Sequence, residues 1–206
     1  FRERTQGANS FRSFMDDAAS TYFNYEKTTR SPIHDTETVK LLDLLNPNNY
    51  QKGAWILHML RGQLGEKDFF AGIREYYSKY RNGVATTEDL RRSLEKTSGQ
   101  DLREFFTRWV YGAGHPDYRV TWRWLNGHPG RVTMMVTQAQ PAAAFLTPIT
   151  IEFVTGKTVR REVLVPTGKS TGANFRLTAR PDQVRLDPDG FILKESTVTE
   201  TRSSRR

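Results

Sequence analysis

The sequence predicts an α then β chain, helices first and strands second, with the change close to residue 114. Three observations predict it. Before the change, apolar residues recur three and four apart, the spacing of one helix face. After it they alternate with polar residues, the spacing of a half-buried strand. Between the two lies Gly112-Ala113-Gly114-His115-Pro116, where glycine and proline interrupt any regular element.

The elements follow in order. Phe11, Phe14, Met15, Ala18 and Tyr22 form one apolar stripe, with Asn9 or Ser10 as the cap of its helix. A loop rich in Thr, Arg, Ser and Pro runs to Thr36, and Leu41, Leu42, Leu44 and Leu45 predict a short helix stopped by Asn46-Pro47. Asn48 or Asn49 caps the next helix, which carries Ala54, Ile56, Leu57, Met59, Leu60 and Leu64 and ends at Gly65. Phe69 to Tyr80 makes another, stopped by Asn82-Gly83. Thr86 or Thr87 opens a helix with Glu88 and Asp89 in its first turn, where carboxylates suit the helix dipole, and Gly99 closes it. Asp101 leads into a last helix with Phe105, Phe106, Trp109 and Val110. Tyr118, Val120, Trp122 and Trp124 then alternate with polar residues, and Asn126-Gly127 and Pro129-Gly130 make a turn. Strands are predicted over 132–138, 149–154, 159–165, 175–177, 184–186 and 191–193, short strands separated by turns as in a β-sandwich. The predicted domains are 1–114 helical, 115–194 β-sandwich, and 195–206 a loose polar tail.

Composition narrows the function classes. Of 206 residues 36% are hydrophobic and 12% aromatic, enough to build a core. No stretch is long and apolar enough to span a membrane, and the absence of cysteine excludes a disulfide scaffold or a thiolate site. The chain opens on Phe1 without a signal-peptide pattern, and its true N-terminus is expected to lie upstream. The net charge of +8 is uneven: 17 basic and 15 acidic residues up to Gly112, then 14 and 8 beyond. The later cations are scattered along strands, with only Arg160-Arg161 and Arg205-Arg206 adjacent, so nucleic acid is not an expected partner.

No nucleophile elbow, phosphate loop or dinucleotide fingerprint is present. His34, His58, His115 and His128 include no pair at the i, i+4 spacing that would put two imidazoles on one helical face. His34, beside Asp35 and Glu37, reads as a solvated loop residue, His58 as a packed one, and His115 and His128 as structural or solvated. Tyr50 stands apart. It falls in the first turn of a helix, where unpaired N–H groups create positive potential and a hydroxyl can help stabilise an anion, or where a tyrosine can simply line a groove. Gly53 marks a close backbone approach in the same turn.

The block resembles the aminopeptidase N family of zinc metallopeptidases, a gluzincin family. The resemblance is carried by Tyr50-Gln51-Lys52-Gly53-Ala54, Leu57-His58-Met59-Leu60-Arg61, Leu64-Gly65, Phe69, Gly72 and Tyr76-Tyr77, then by Thr86-Thr87-Glu88-Asp89-Leu90 and Ser98-Gly99-Gln100-Asp101-Leu102. Phe105-Phe106, Trp109-Val110 and Gly114-His115-Pro116 complete it. It implies the end of a helical thermolysin-like catalytic domain followed by a β-sandwich. It also implies that Tyr50 is catalytic, its hydroxyl stabilising the oxyanion of the tetrahedral intermediate, with Lys52 and Gly53 supporting turn and packing.

The family's His-Glu-x-x-His and Gly-x-Met-x-Asn motifs are missing here. The third zinc ligand of the family precedes its tyrosine by slightly more than the 49 residues available before Tyr50. Phe1-Arg2-Glu3-Arg4 therefore resembles the continuation of the helix that carries it, and Glu3 lacks the ligand's sequence context. The resemblance thus implies a fragment, in the style of a shorter bacterial member. Its parent would bind Zn2+ through residues outside this chain and cleave N-terminal residues from peptide substrates, and its partner would be its own missing catalytic region. Two other readings remain: a non-catalytic protein-interaction module on the same scaffold, and a basic β-sandwich that binds an anionic polymer. The isolated helical half is expected to expose an apolar face, namely Phe1 to Thr5 with the Phe11, Phe14, Met15 stripe.

Overall fold

Among the described residues, 2–38 and 40–201 of a computed structural model, helices come first and strands second. They fall into two units, 1–114 and 115–206.

In the first unit α1 (Arg2–Gln6) meets α2 (Ala8–Glu26) at Gly7, whose φ of 85° suits glycine and breaks the helix there. The expected caps Asn9 and Ser10 therefore lie inside α2. Its buried face is Met15, Ala18, Tyr22 and Glu26, and the indole N–H of Trp55 donates to the Met15 carbonyl at 2.9 Å. Met15 is thus core, whereas Phe14 lies on the flank of the stripe, 41% exposed, with the Arg2 guanidinium 4.5 Å from its ring centre. The exposed face expected of this stripe reduces to Phe14. Phe1 lies outside the described residues.

The leucines at 41–44 form one 3₁₀ turn, too short to bury them: Leu41 and Leu42 are exposed. Beyond Pro47, residues Asn48–Lys52 form a π turn that runs into α3 (Gly53–Leu64). After α4 (Glu66–Tyr80), Thr86 caps α5 (Thr87–Ser98) through a reciprocal box with Asp89, and Gly99 ends it at φ 69°. Helices α4 and α5 touch at Gly72, where an added Cβ would stand 2.7 Å from the Leu94 side chain and 3.0 Å from its backbone. A short α6 (Arg103–Trp109) fills the core with Phe106 and Trp109.

The second unit holds two sheets. One has the order β5-β2-β1-β7, built from β1 (Asp117–Leu125), β2 (Gly130–Gln138), β5 (Ser170–Leu177) and β7 (Glu195–Glu200). The other has the order β4-β3-β6, from β3 (Ile149–Thr155), β4 (Thr158–Leu164) and β6 (Gln183–Leu186). Alternation along β1 and β2 points Tyr118, Val120, Trp122, Val132, Met134 and Val136 inward. The sheets share one core: Phe153 of one meets Phe175 of the other with ring centres 5.1 Å apart.

Two expectations are corrected. The apolar run Phe191 to Leu193 is a loop, because its N–H groups are taken by a side chain: Phe191 and Ile192 donate to the Asp187 carboxylate, each at 2.9 Å. The loose tail expected from Glu195 is, up to Glu200, strand β7, paired parallel to β1 with Tyr118 opposite Ser196 and Val120 opposite Val198. The β-branched Thr197, Val198 and Thr199 favour that conformation, and an edge strand facing solvent needs few apolar side chains. Residues 202–206 of the expected tail lie outside the described residues.

Candidate functional site

Tyr50 is the middle residue of the π turn. The turn is not entered as its sequence suggests. Asn46, rather than Asn48 or Asn49, supplies the side-chain cap, its Oδ1 accepting the Asn49 N–H at 3.1 Å, and Pro47 follows at a helix-compatible φ of −58°. Asn48 turns inward and donates through Nδ2 to the carbonyls of Ser31 at 3.1 Å and Pro32 at 2.8 Å. Lys52, at the other end, is fully buried. With i→i+5 bonding the first and last residues of the turn face inward together, and Tyr50 between them faces outward at 60% exposure.

Tyr50 lines a groove of 590 Å³ whose walls include Ile33, Leu57, Tyr76, Leu90, Phe106 and Val110. The walls are tied in place. The N–H of His34 donates to the Val110 carbonyl at 3.1 Å, which holds the loop bearing Ile33. At the rim, Asp89 accepts from the Tyr80 hydroxyl at 2.7 Å and from Thr86, and these bonds, Tyr80 first, hold its carboxyl down at about 2. The arrangement is an apolar trough with one outward phenol, suited to a chain-like organic ligand whose polar atoms meet that hydroxyl.

Beneath the turn is a polar cluster. Glu26 is buried, and Arg30 pairs with its carboxylate at 3.0 Å. The Lys52 ammonium lies 3.4 Å from the Gly112 carbonyl and 5.7 Å from the centre of the Tyr22 ring. Burial lowers the Lys52 amine from 10.5 to about 8, against the attraction of Glu26. Burial, and then the charge of Glu26, raises the Tyr22 phenol. Between pH 8 and 10.5 the unfolded lysine therefore holds a proton that the folded one has shed, so this group makes folding more favourable as pH rises through that window. The stability of the chain minus that of Lys52→Met, from denaturant titrations, is expected to climb across it. A flat difference would show that the buried amine keeps its proton.

The other candidates do not converge. The ring of His34 stacks edge-on with Tyr111 at 5.2 Å, His58 lies between the rings of Phe11 and Trp55, and His115 faces Glu195 at 3.3 Å. The Glu3 carboxylate is held by Arg61. Among the described residues no three His, Cys, Asp or Glu side chains gather as a metal site would require. No helix there is long and apolar enough to cross a membrane. The reading of residues missed the Tyr22, Glu26, Lys52 cluster, although one signal was present: Glu26 continues the inward spacing of Ala18 and Tyr22.

The chain is similar to Legionella pneumophila aminopeptidase A, crystallised in complex with aspartic acid, with a TM-score of 0.72 and 19% identity over 98% of this chain and 22% of that one. At that identity the likeness is one of fold. In sequence it is 35% identical over 113 residues to "Probable aminopeptidase 2" of Sulfurisphaera tokodaii, covering 54% of this chain and 14% of that protein. It is 28% identical over 151 residues to "Aminopeptidase M1-C" of Oryza sativa subsp. japonica, covering 69% of this chain and 16% of that protein. The peptidase family M1 domain matches residues 3–109. The chain belongs to peptidase family M1. It spans about a seventh of the length of these curated relatives.

Proposed function

We propose that this chain is part of a zinc-dependent aminopeptidase that removes N-terminal residues from peptides, and that it supplies the oxyanion-stabilising hydroxyl of Tyr50. In this reading the first unit is the end of a thermolysin-like catalytic domain. The observation that supports it is the placement of Tyr50, outward at the edge of an apolar groove on a turn whose two ends are buried. A phenol O–H there donates to a carbonyl oxygen as that oxygen becomes negative, and an apolar wall strengthens such a bond by excluding water. The trough beside it accommodates the side chains of a peptide.

The described residues do not fit a zinc ion, since they bring no ligand set together. In this proposal the metal is held by other residues of the complete enzyme, and every role assigned to this chain is one of donation, packing and positioning.

The 206-residue chain by itself is expected to leave an aminoacyl chromogenic substrate intact. A longer chain that includes a His-Glu-x-x-His segment is expected to hydrolyse it and to lose that activity to a chelator. Chelator-sensitive turnover by the 206-residue chain would refute this division of labour. Inactivity of the longer, metal-loaded chain on a panel of aminoacyl substrates would favour the protein-interaction reading instead.

A further inference from the structure

The π turn is held by its ends. Asn48 is fastened to the 31–32 carbonyls, and Lys52, also facing inward, reaches the Gly112 carbonyl and the Tyr22 ring of α2. Tyr50 is free to face the groove because both neighbours two positions away face the core.

An ammonium is a costly way to fill such a pocket. Moving it out of water is unfavourable, and an apolar side chain of similar length would pack there without that penalty. What a charge adds is a unique position. The Lys52 ammonium donates to the Gly112 carbonyl at 3.4 Å, so the backbone that carries it cannot slide by one residue without leaving a buried charge without that acceptor. A methionine would be equally content in an α-helical or a π-helical register. The difference between those registers rotates Tyr50 around the helix axis.

We infer that Lys52, through its buried ammonium's hydrogen bond to the Gly112 carbonyl, is a positioning residue for Tyr50, fixing the register of the π turn and so the place where the phenol hydroxyl stands. This rests on the reading of Tyr50 as the oxyanion donor. Lys52 itself touches no substrate: it is fully buried, on the opposite side of the turn from the groove. Tyr22 and Glu26 on α2 and Arg30 in the loop after it complete its surroundings, and because Arg30 pairs with Glu26, removal of the amine does not strand that carboxylate.

A double-mutant cycle in the complete enzyme tests it. Lys52→Met is expected to lower kcat by about tenfold or more with KM within about twofold, and with metal content unchanged. In the Tyr50→Phe background the same change is expected to lower kcat by less than about twofold, because the hydroxyl it positions is already gone. Unchanged kcat in Lys52→Met, or the same fold-loss in both backgrounds, would overturn the inference and leave Lys52 an ordinary core residue. Full activity of Tyr50→Phe alone would refute the reading of Tyr50 itself, an outcome visible before Lys52 is altered. If Lys52→Met does not yield folded enzyme, Glu26→Gln keeps the shape of the cluster and removes the countercharge. The same non-additivity with Tyr50→Phe is expected, and an additive loss would again overturn the inference.

Discussion

Replacing Tyr50 with phenylalanine in the complete enzyme is expected to lower kcat about a hundred- to a thousand-fold, roughly 3 to 4 kcal/mol of transition-state stabilisation, with KM almost unchanged. The asymmetry follows from when the hydrogen bond matters. A ground-state carbonyl carries little charge, whereas the oxyanion formed on attack carries nearly a full one, so the phenol O–H is worth far more in the transition state than before it. The ring contributes its packing in both states, and phenylalanine retains it. Tyr50 is 60% exposed, so loss of its hydroxyl strands no buried partner, and thermal stability and metal content are expected to match the parent. Steady-state kinetics on an aminoacyl substrate, read beside metal content, decide the matter. Near-full turnover would show that the hydroxyl does not act here, and loss of metal or of folding would assign Tyr50 a structural role.

The largest expected effect on stability lies in the second unit. Asp187→Ala should cost about 3–5 kcal/mol, because the buried carboxylate is the common partner of the Phe191 and Ile192 N–H groups and of the Lys194 ammonium. Its removal leaves two backbone donors and a cation, Lys194, that is 12% exposed, without that acceptor. Asp187 also sits at φ 48°, a conformation that alanine tolerates less well than aspartate. Asp187→Asn keeps the shape and one acceptor oxygen while surrendering the charge, so its loss should fall between those of the parent and the alanine variant. Chemical denaturation followed by tryptophan fluorescence measures both, since Trp122 and Trp124 lie on β1 of that unit. Equal losses for the two variants would assign the whole effect to the charge on Asp187.

The parts of this structure legible in the sequence are those specified locally. The helix Thr87–Ser98 carries its start in Thr86 and Asp89 and its stop in Gly99, and β1 carries its face in the alternation of Tyr118, Val120 and Trp122. What was not legible depends on which partner wins the backbone groups, a side chain nearby or an element far away in the chain. The run Phe191 to Leu193 is apolar enough for a strand, but Asp187 competes for its N–H groups. The polar stretch from Glu195 becomes a strand because β1 offers it a free edge. The π turn has no periodic signature at all: it is one residue of slack, resolved by where Asn48 and Lys52 find their partners. Tyr50 was legible as a candidate from its place at a helix start and from the motif around it. The buried lysine below it was not, since composition alone places a lysine at the surface and Glu26 is 26 residues earlier.

The parallel pairing of β1 with β7 also bears on how this protein is made. The first strand of the second unit has its final neighbour in the last strand of that unit, with Tyr118 opposite Ser196. A ribosome adds about 5–20 residues per second, so β1 emerges and waits several seconds, one edge unpaired, before its partner is synthesised. Contacts this distant in sequence also close slowly once both halves exist. During that interval the nascent sheet presents the backbone groups of β1, with Trp122 among its side chains, to whatever is nearby. In the helical unit most packed helix pairs are neighbours in sequence, although it too has distant closures, such as the His34 N–H to the Val110 carbonyl. The waiting edge of β1 is therefore a place on which a holding chaperone can act.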